Sequence, residues 1–173
     1  KDCDFIFMPI YYTQAALFID TAKDTVSANT IYYGCDGLDG IDSAVEGFDV
    51  NAYTQEISYL SHFSTASEEQ ATKDFVAKYT DKYGTDTLNQ FGAAAYDCVY
   101  AIKGAMEAAV AAGKDIPVNI SAADLYDILD GQFKGGYTYS GVTGKNMTWN
   151  ADHTVSKSAL KFMFLLKYIG TSN

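Results

Sequence analysis

The sequence has few basic residues and little histidine. It contains 12 Lys and Arg against 22 Asp and Glu among 173 residues, which gives a formal net charge of -10. No run of Lys and Arg occurs anywhere in the chain. A nucleic-acid-binding surface is therefore excluded, because affinity for phosphates is supplied mainly by clustered basic side chains. The acidity itself is typical of a well-solvated surface.

Long apolar runs and a regular cysteine pattern are also missing. The longest apolar stretch, residues 159–170, is interrupted by Lys161 and Lys167 and is too polar to cross a bilayer. The cysteines are Cys3, Cys35 and Cys98. Their spacing matches no zinc site, and an odd number cannot all pair in disulfides. We expect all three to be small, mostly buried apolar side chains.

The sequence has no recognisable catalytic constellation. Ser61 and His62 are adjacent, which is not the geometry of a catalytic triad, and no G-x-S-x-G motif is present. The three glycines between residues 34 and 40 have the wrong spacing for a dinucleotide-binding loop. The three aspartates between residues 36 and 42 do not follow the alternating pattern of a calcium loop. We therefore expect no enzymatic activity, no metal and no cofactor.

The first third of the chain has the pattern of a parallel sheet. Residues 4–10 and 30–33 are short apolar runs that predict strands buried on both faces. Residues 12–25 place apolar side chains at helical spacing between them. A strand, a helix and a strand in about thirty residues indicate a parallel pair with a right-handed crossover. A third strand is predicted over residues 56–63.

Three further helices are predicted. Ser67 and Gln70 have the spacing of a capping box, for a helix that ends at Gly84. A longer helix is predicted over residues 87–112, and a short one begins at Ser121 and ends at Gly131. The residues expected on the buried side of the long helix are Leu88, Phe91, Ala95, Cys98, Val99, Ile102, Met106 and Val110.

The end of the chain has the pattern of an antiparallel hairpin. Residues 143–149 and 158–169 flank the turn-like residues 150–153. Together with the preceding units, this predicts an α/β domain with a mostly parallel sheet and a C-terminal antiparallel hairpin.

Ligands of such sheets bind beyond the carboxyl ends of the strands. Asp36 follows the second strand between glycines, where its carboxylate could hold an ammonium group. An Asx-turn, in which Asp36 bonds its own backbone, is an equally good interpretation of the spacing. Tyr11 and Tyr12 follow the first strand, and at most one of them would face a ligand. For these tyrosines and for Phe91, ordinary core packing is the alternative.

An ordered series of segments resembles the second lobe of the periplasmic leucine/isoleucine/valine-binding receptors of ABC transporters. The segments are FIFMP at 5–9, YYTQAA at 11–16, GCDG at 34–37, SHFS at 61–64, FVAKY at 75–79, KYG at 82–84, Phe91 with AYD at 95–97 and VY at 99–100, YSGVTG at 139–144 and WNAD at 149–152. Each piece is short and common, but together they run in order over nearly the whole chain.

The resemblance implies a type I periplasmic-binding-protein lobe, a three-layer α/β fold, that spans residues 1–173 as a single C-terminal lobe, incomplete at its N-terminus. It implies that an amino acid or similar small molecule binds in a cleft between two lobes. Ligand-binding residues implied by matching positions are Asp36 for the ammonium group and the aromatics Tyr11 and Phe91. Asp stands where well-known members have Glu, which shortens the reach by one methylene.

The resemblance also implies partners and a location. The partners are a missing N-terminal lobe and an ABC permease, and the location is extracytoplasmic, either periplasmic or as a cell-surface lipoprotein of a Gram-positive host. Because the start of the lobe is absent, we expect an exposed sheet edge that a neighbouring chain covers, for example in a homo-oligomer. Two alternatives remain open: a ligand-sensing domain of a signalling receptor with the same fold, and an enzyme of flavodoxin-like architecture.

Overall fold

The computed structural model of the protein describes residues 3–42, 45–85 and 87–157, together with the backbone of residues 162–165. The chain divides into two compact units. The first comprises Lys1–Ser64 and Lys161–Asn173 and is called the sheet unit. The second, Thr65–Leu160, is called the helical unit. The expectation of one lobe over residues 1–173 stays a prediction.

The sheet unit is built on four strands. In chain order, the strands of the protein are β1 (Phe5–Met8), β2 (Ile31–Gly34), β3 (Glu56–Ser61), β4 (Thr148–Trp149), β5 (Val155–Ser156) and β6 (Phe162–Leu165). The larger sheet has the order β1-β2-β3-β6. β1 with β2 and β2 with β3 are parallel, whereas β6 is antiparallel to β3. The mostly parallel sheet predicted from the apolar runs is therefore confirmed.

Helix α1 (Tyr12–Ala22) connects β1 to β2 and covers one face of the sheet. Its buried residues are Ala15, Ala16 and Ile19, at the spacing expected for one helical face. They pack with Tyr32 of β2 and Ile57 of β3, which are fully buried. Phe18 lies at the border of this face, 43 % exposed, with its ring edge-on to Tyr32 at 6.3 Å. The small side chains of α1 let the helix approach the strands closely.

Strand β1 lies at an edge of the sheet. Within the described residues it pairs only with β2. Phe5 and Phe7, which point away from the α1 side, are 50 % and 57 % exposed. The prediction that β1 is buried on both faces is therefore wrong for the described residues, while an exposed sheet edge is found. That a neighbouring chain covers the edge stays a prediction.

The helical unit contains α2 (Gln70–Tyr83), α3 (Gln90–Ala111) and α4 (Ala122–Lys134). The predicted end of α2 at Gly84 is confirmed, since Gly84 adopts a positive φ of 77°. The capping box is wrong: Glu69 is the N-cap and makes no side-chain cap bond, and the Ser67 hydroxyl instead accepts from the Glu69 amide at 3.3 Å. No helix among the described residues has the length and apolarity of a membrane span.

Helix α4 begins as predicted and ends later. The Ser121 hydroxyl accepts from the Asp124 amide at 3.1 Å and donates to the Asp124 carboxylate at 2.7 Å. This satisfies a free amide at the start of the helix. The predicted end at Gly131 is wrong, because the helix continues to Lys134 and is closed by Gly135. Gly131 keeps helical geometry, so it weakens the helix without ending it.

The buried face of α3 differs from the prediction. The buried residues are Gln90, Ala93, Asp97, Ala101, Ala105 and Ala109. Most of the predicted apolar side is exposed, including Phe91, Cys98, Val99, Ile102 and Val110. Alanine at positions 93, 101, 105 and 109 makes a flat face that allows close packing. Tyr137 lies against Gly104, where a Cβ atom would overlap its hydroxyl. The expectation that all three cysteines are buried is wrong for Cys98, which is exposed.

The terminal hairpin is shorter than predicted. β4 and β5 are paired and are joined by a turn, in which the Asn150 amide donates to the carbonyl oxygen of Thr154 at 2.9 Å. His153 takes a positive φ of 67° within this turn. The second arm is therefore Val155–Ser156. Within the predicted arm over residues 158–169, residues 162–165 pair with β3, and the others lie outside the described residues.

Candidate ligand-binding site

The loop after β2 places Asp36 at the carboxyl end of the sheet. Residues Asp36–Leu38 form a single 3-10 turn, closed by bonds from the Leu38 amide to Cys35 O at 3.0 Å and from the Asp39 amide to Asp36 O at 3.1 Å. Asp36 is the first residue of the turn and its side chain is exposed. The carboxylate is thus accessible to a solute, as a ligand-binding role requires.

The backbone of this turn is packed tightly on both sides. A Cβ atom on Gly37 would lie 2.8 Å from the carbonyl oxygen of Ile10 and 3.6 Å from the Cα atom of Tyr11. A Cβ atom on Gly34 would overlap the side chain of Leu38, which is fully buried. Glycine is required at both positions because there is no room for a Cβ atom, and not because the backbone adopts a conformation that only glycine favours. The turn is thereby fixed against the end of β1.

Tyr11 lies beside the turn formed by Asp36–Leu38, which is called the Asp36 turn. It is the residue before α1 and is 71 % exposed, whereas Tyr12 is half-buried against the core. The expectation that at most one of the two tyrosines faces a ligand stays a prediction. The contact of Gly37 with the Ile10–Tyr11 backbone brings Tyr11 and Asp36 to the same edge of the sheet unit. Their role in binding stays a prediction.

A residue of β3 that the sequence patterns did not single out also reaches this loop. The Tyr59 hydroxyl donates to Asp39 Oδ1 at 2.7 Å, and Tyr59 is only 4 % exposed. Burial raises the pKa of Tyr59, and the hydrogen bond to Asp39 and the negative charges of Asp39 and Asp42 raise it further. In sequence, Tyr59 was one apolar residue of a predicted strand. No local spacing could connect it to a carboxylate 20 residues away.

The charges of the sheet unit favour a positively charged ligand. Within residues 3–42 and 45–64, the only Lys or Arg is Lys23, which pairs with Asp20 at 2.9 Å. The acidic residues in these ranges are Asp4, Asp20, Asp24, Asp36, Asp39, Asp42, Glu46, Asp49 and Glu56. Lys23 follows α1, so it lies toward the amino ends of the strands, away from Asp36. Asp36, Asp39 and Asp42 therefore follow β2 with no Lys or Arg of these ranges beside them in the chain, while His62 follows β3.

The remaining predicted site residue is Phe91. Phe91 lies in the first turn of α3, in the helical unit, and is 51 % exposed. Its role as a ligand contact stays a prediction. The Ser61 hydroxyl donates to Phe63 O at 3.0 Å and accepts from the Phe63 amide at 3.3 Å, so it shapes a turn. Among the described residues, no group of His, Cys, Asp and Glu is arranged to hold a metal ion.

The helical unit contains a buried carboxylate of its own. Asp97 is 4 % exposed and accepts from the amides of Val142 at 2.9 Å and Thr143 at 2.7 Å. It also accepts from the Thr143 hydroxyl at 2.6 Å and the Tyr139 hydroxyl at 3.2 Å. Asp97 therefore pins the segment before β4 to α3. Burial lowers the pKa of nearby Lys157, and the charge of Asp97 partly opposes this shift.

We expect Tyr59 to make the protein less stable in alkali. Because its pKa is raised in the folded state, Tyr59 stays protonated above pH ~10, where an unfolded tyrosine ionises. The unfolded state then binds fewer protons, so stability falls as the pH rises. The contribution of Tyr59 to stability is therefore fully present below pH ~10 and decreases above it. Tyr59→Phe should reduce the loss between pH 9 and pH 11 by about 1 kcal/mol.

Urea titrations at pH 9 and pH 11 measure this difference. Tyr126→Phe is the matched control, since Tyr126 is 60 % exposed and its removal should leave the pH dependence unchanged. Equal losses of stability in the wild type and in Tyr59→Phe would contradict the assignment.

Comparison with known proteins identifies the fold. No protein-family model and no curated protein matches the sequence. A solved structure of the leucine-binding protein LivK from Thermotoga maritima is similar, at 19% identity and a TM-score of 0.63, over 89% of this chain and 39% of that one. This protein shares the fold of that LivK structure. This confirms, at the level of fold, the resemblance seen in the ordered sequence segments.

Two further structures assigned to branched-chain amino acid ABC transport show the same architecture. The one from Rhodospirillum rubrum has 22% identity and a TM-score of 0.54, over 90% of this chain and 40% of that one. The one from Silicibacter pomeroyi has 17% identity and a TM-score of 0.58, over 87% of this chain and 35% of that one. The chain thus spans 35–40% of the length of these three structures, which are a leucine-binding protein and two proteins assigned to branched-chain amino acid ABC transport.

Proposed function

We propose that this chain is part of the extracytoplasmic solute-binding component of an ABC transporter. In this proposal the solute is an amino acid or a similar small molecule, and Asp36 holds its ammonium group. The observation that carries the proposal is the exposed Asp36 carboxylate at the first residue of a rigid turn, at the carboxyl end of β2. Ligands of parallel sheets bind at this edge.

The neighbouring groups suit such a ligand. An ammonium group donates charge-assisted hydrogen bonds to a carboxylate, and these are the stronger kind. The exposed ring of Tyr11 provides an aromatic wall next to Asp36. Phe91, in the helical unit, is proposed separately as an aromatic ligand contact. The carboxylates of Asp36, Asp39 and Asp42, which follow β2, attract cations toward this edge. No group near Asp36 is assigned a catalytic role, so the ligand is bound and released unchanged.

The rest of the site is proposed to come from a longer receptor. The chain corresponds to 39% of the LivK structure, and groups that bind the ligand carboxylate are proposed to lie on a lobe that precedes this chain. The loaded receptor would pass its solute to an ABC permease. Its location would be the periplasm, or the cell surface as a lipoprotein in a Gram-positive host.

Calorimetry with a panel of amino acids tests the proposal. The protein is the receptor that carries this chain together with its other lobe, and the isolated 173-residue chain is titrated in parallel. We expect one class of amino acid to bind the receptor and the isolated chain to bind weakly or not at all. Asp36→Ala should weaken binding by about a hundredfold or more, because it removes a charged partner from a desolvated ammonium group.

The controls separate charge at the site from charge in general. Asp36→Asn keeps the shape but loses the charge and should bind nearly as poorly as Asp36→Ala. Asp24→Ala removes an exposed carboxylate from the loop that precedes β2, at the other end of the strands, and should leave affinity unchanged. Wild-type affinity in Asp36→Ala would remove Asp36 from the site. A receptor that binds none of the amino acids would overturn the proposed function.

A further inference from the structure

We propose that Tyr59 and Asp39 form a positioning pair that holds the Asp36 turn in the geometry needed for binding. The consequence for a ligand rests on the function proposed above, whereas the consequence for the turn itself does not. Neither residue is assigned to contact the solute. Both act through the backbone that carries Asp36.

Asp39 is connected to the turn and to the sheet at once. Its amide donates to the carbonyl of Asp36 at 3.1 Å, which closes the 3-10 turn. Its side chain accepts from the Tyr59 hydroxyl at 2.7 Å. Tyr59 belongs to β3, which is paired with β2 on one side and β6 on the other. A short path of two hydrogen bonds therefore connects Asp36 to a central strand of the sheet.

The Tyr59 hydroxyl is suited to this role by its surroundings. It is buried, and a tyrosine hydroxyl is protonated at neutral pH, so it acts there as a hydrogen-bond donor. A donor to a carboxylate forms a charge-assisted bond, which is stronger than one between neutral groups. The aromatic ring is rigid and has few rotatable bonds, so the hydroxyl is held in place by the core. The hydrogen bond therefore restrains the Asp36 turn at its closing residue, Asp39.

The other side of the turn is restrained differently. Gly37 is packed against the Ile10 carbonyl and Leu38 is fully buried, so steric contacts fix the middle of the turn. These contacts limit how close the turn approaches β1 but do not fix its closing residue. The Tyr59–Asp39 bond adds the restraint at Asp39. Together the two restraints leave Asp36 as an exposed side chain on a fixed backbone.

Amide hydrogen exchange of the 173-residue chain tests the effect on the turn. In Tyr59→Phe and in Asp39→Ala, the amides of Leu38 and Asp39 should exchange about five- to tenfold faster than in the wild type, relative to amides of α1. Asp39→Asn keeps an oxygen that can accept the bond and should restore most of the protection. The double variant Tyr59→Phe with Asp39→Ala should exchange no faster than either single variant.

A matched control comes from the same unit. The Tyr53 hydroxyl donates to Asp20 at 3.3 Å, and Tyr53 is 5 % exposed, so Tyr53→Phe removes a comparable bond elsewhere. It should leave exchange at Leu38 and Asp39 unchanged. If Tyr59→Phe merely weakened the core, α1 and the turn would change together and Asp39→Ala would have no effect. That outcome, or additive effects in the double variant, would overturn the proposal.

The second arm measures L-leucine affinity of the receptor by calorimetry. We expect Tyr59→Phe and Asp39→Ala to bind about three- to tenfold more weakly than the wild type, with Asp39→Asn close to the wild type. Faster exchange with unchanged affinity would overturn the role in binding. If no amino acid binds even the wild-type receptor, the proposed function fails, while the exchange experiment still decides whether the pair positions the turn.

Discussion

Replacing Asp97 by Asn should lower the free energy of unfolding of the helical unit by about 3 kcal/mol. The Asp97 carboxylate accepts four hydrogen bonds, two from backbone amides and two from hydroxyls. An amide side chain of the same shape has one acceptor oxygen and a donor NH2 group. Its NH2 group would face a buried backbone N–H, so at least one donor would lose its partner.

Urea unfolding followed by tryptophan fluorescence measures this loss. Trp149 is the only tryptophan of the chain, and it contacts Phe133 with ring centroids 4.6 Å apart within the helical unit. Its emission therefore reports on the unit that contains Asp97. The matched control is Asp127→Asn, because Asp127 is an exposed aspartate on α4 and should change stability by less than about 0.5 kcal/mol. Equal stability in both variants would show that Asp97 does not pin the segment before β4.

Replacing Gly37 by Ala should strongly disturb the candidate site. The added Cβ atom would lie 2.8 Å from the carbonyl oxygen of Ile10. The obstructing atom belongs to the backbone, so it cannot move aside by rotating a side chain. Either the Asp36 turn or the segment at Tyr11 must shift. We expect a loss of stability of about 1–3 kcal/mol and at least roughly a tenfold loss of amino-acid affinity in the receptor.

Amide chemical shifts of Ile10 and Tyr11, together with calorimetry, measure the two effects. The control is Gly131→Ala in α4, where nothing lies within 4 Å of the added Cβ atom. Alanine is the better helix former, so that variant should be as stable as the wild type or more stable, by up to ~1 kcal/mol. Wild-type shifts and affinity in Gly37→Ala would mean that the turn does not need close contact with β1.

Local patterns in the sequence predicted much of the secondary structure. The helix after β1, the end of α2 at Gly84 and the start of α4 at Ser121 each depend on spacing within a few residues, and the structure has them. The same reasoning placed a helix end at Gly131, where the structure has none. A single glycine weakens a helix by about 1 kcal/mol, and packing can offset a loss of this size. The helix therefore continues through Gly131 and ends at Gly135.

The buried side of α3 could not be predicted from hydrophobicity. The larger apolar side chains favoured the face with Val99 and Ile102, whereas the structure buries the face with Ala101, Ala105 and Asp97. Small side chains bury little area each but allow close approach, which periodicity does not measure. The carboxylate of Asp97 is buried with partners, Val142 and Thr143, that lie 45 and 46 residues away along the chain.

The order of β1, α1, β2 and β3, the parallel pairing of β1 with β2 and the position of Asp36 after β2 followed from the amino-acid sequence, whereas the antiparallel pairing of β6 with β3 did not. Each of the predicted features depends on neighbours in the chain, on turn residues and on the crossover that a helix between two strands imposes. The side chains that surround Asp36 became known only from the folded arrangement. The contacts of Gly37 with Ile10 and of Tyr59 with Asp39 join segments about 20 or more residues apart, and their geometry depends on how strands lie side by side.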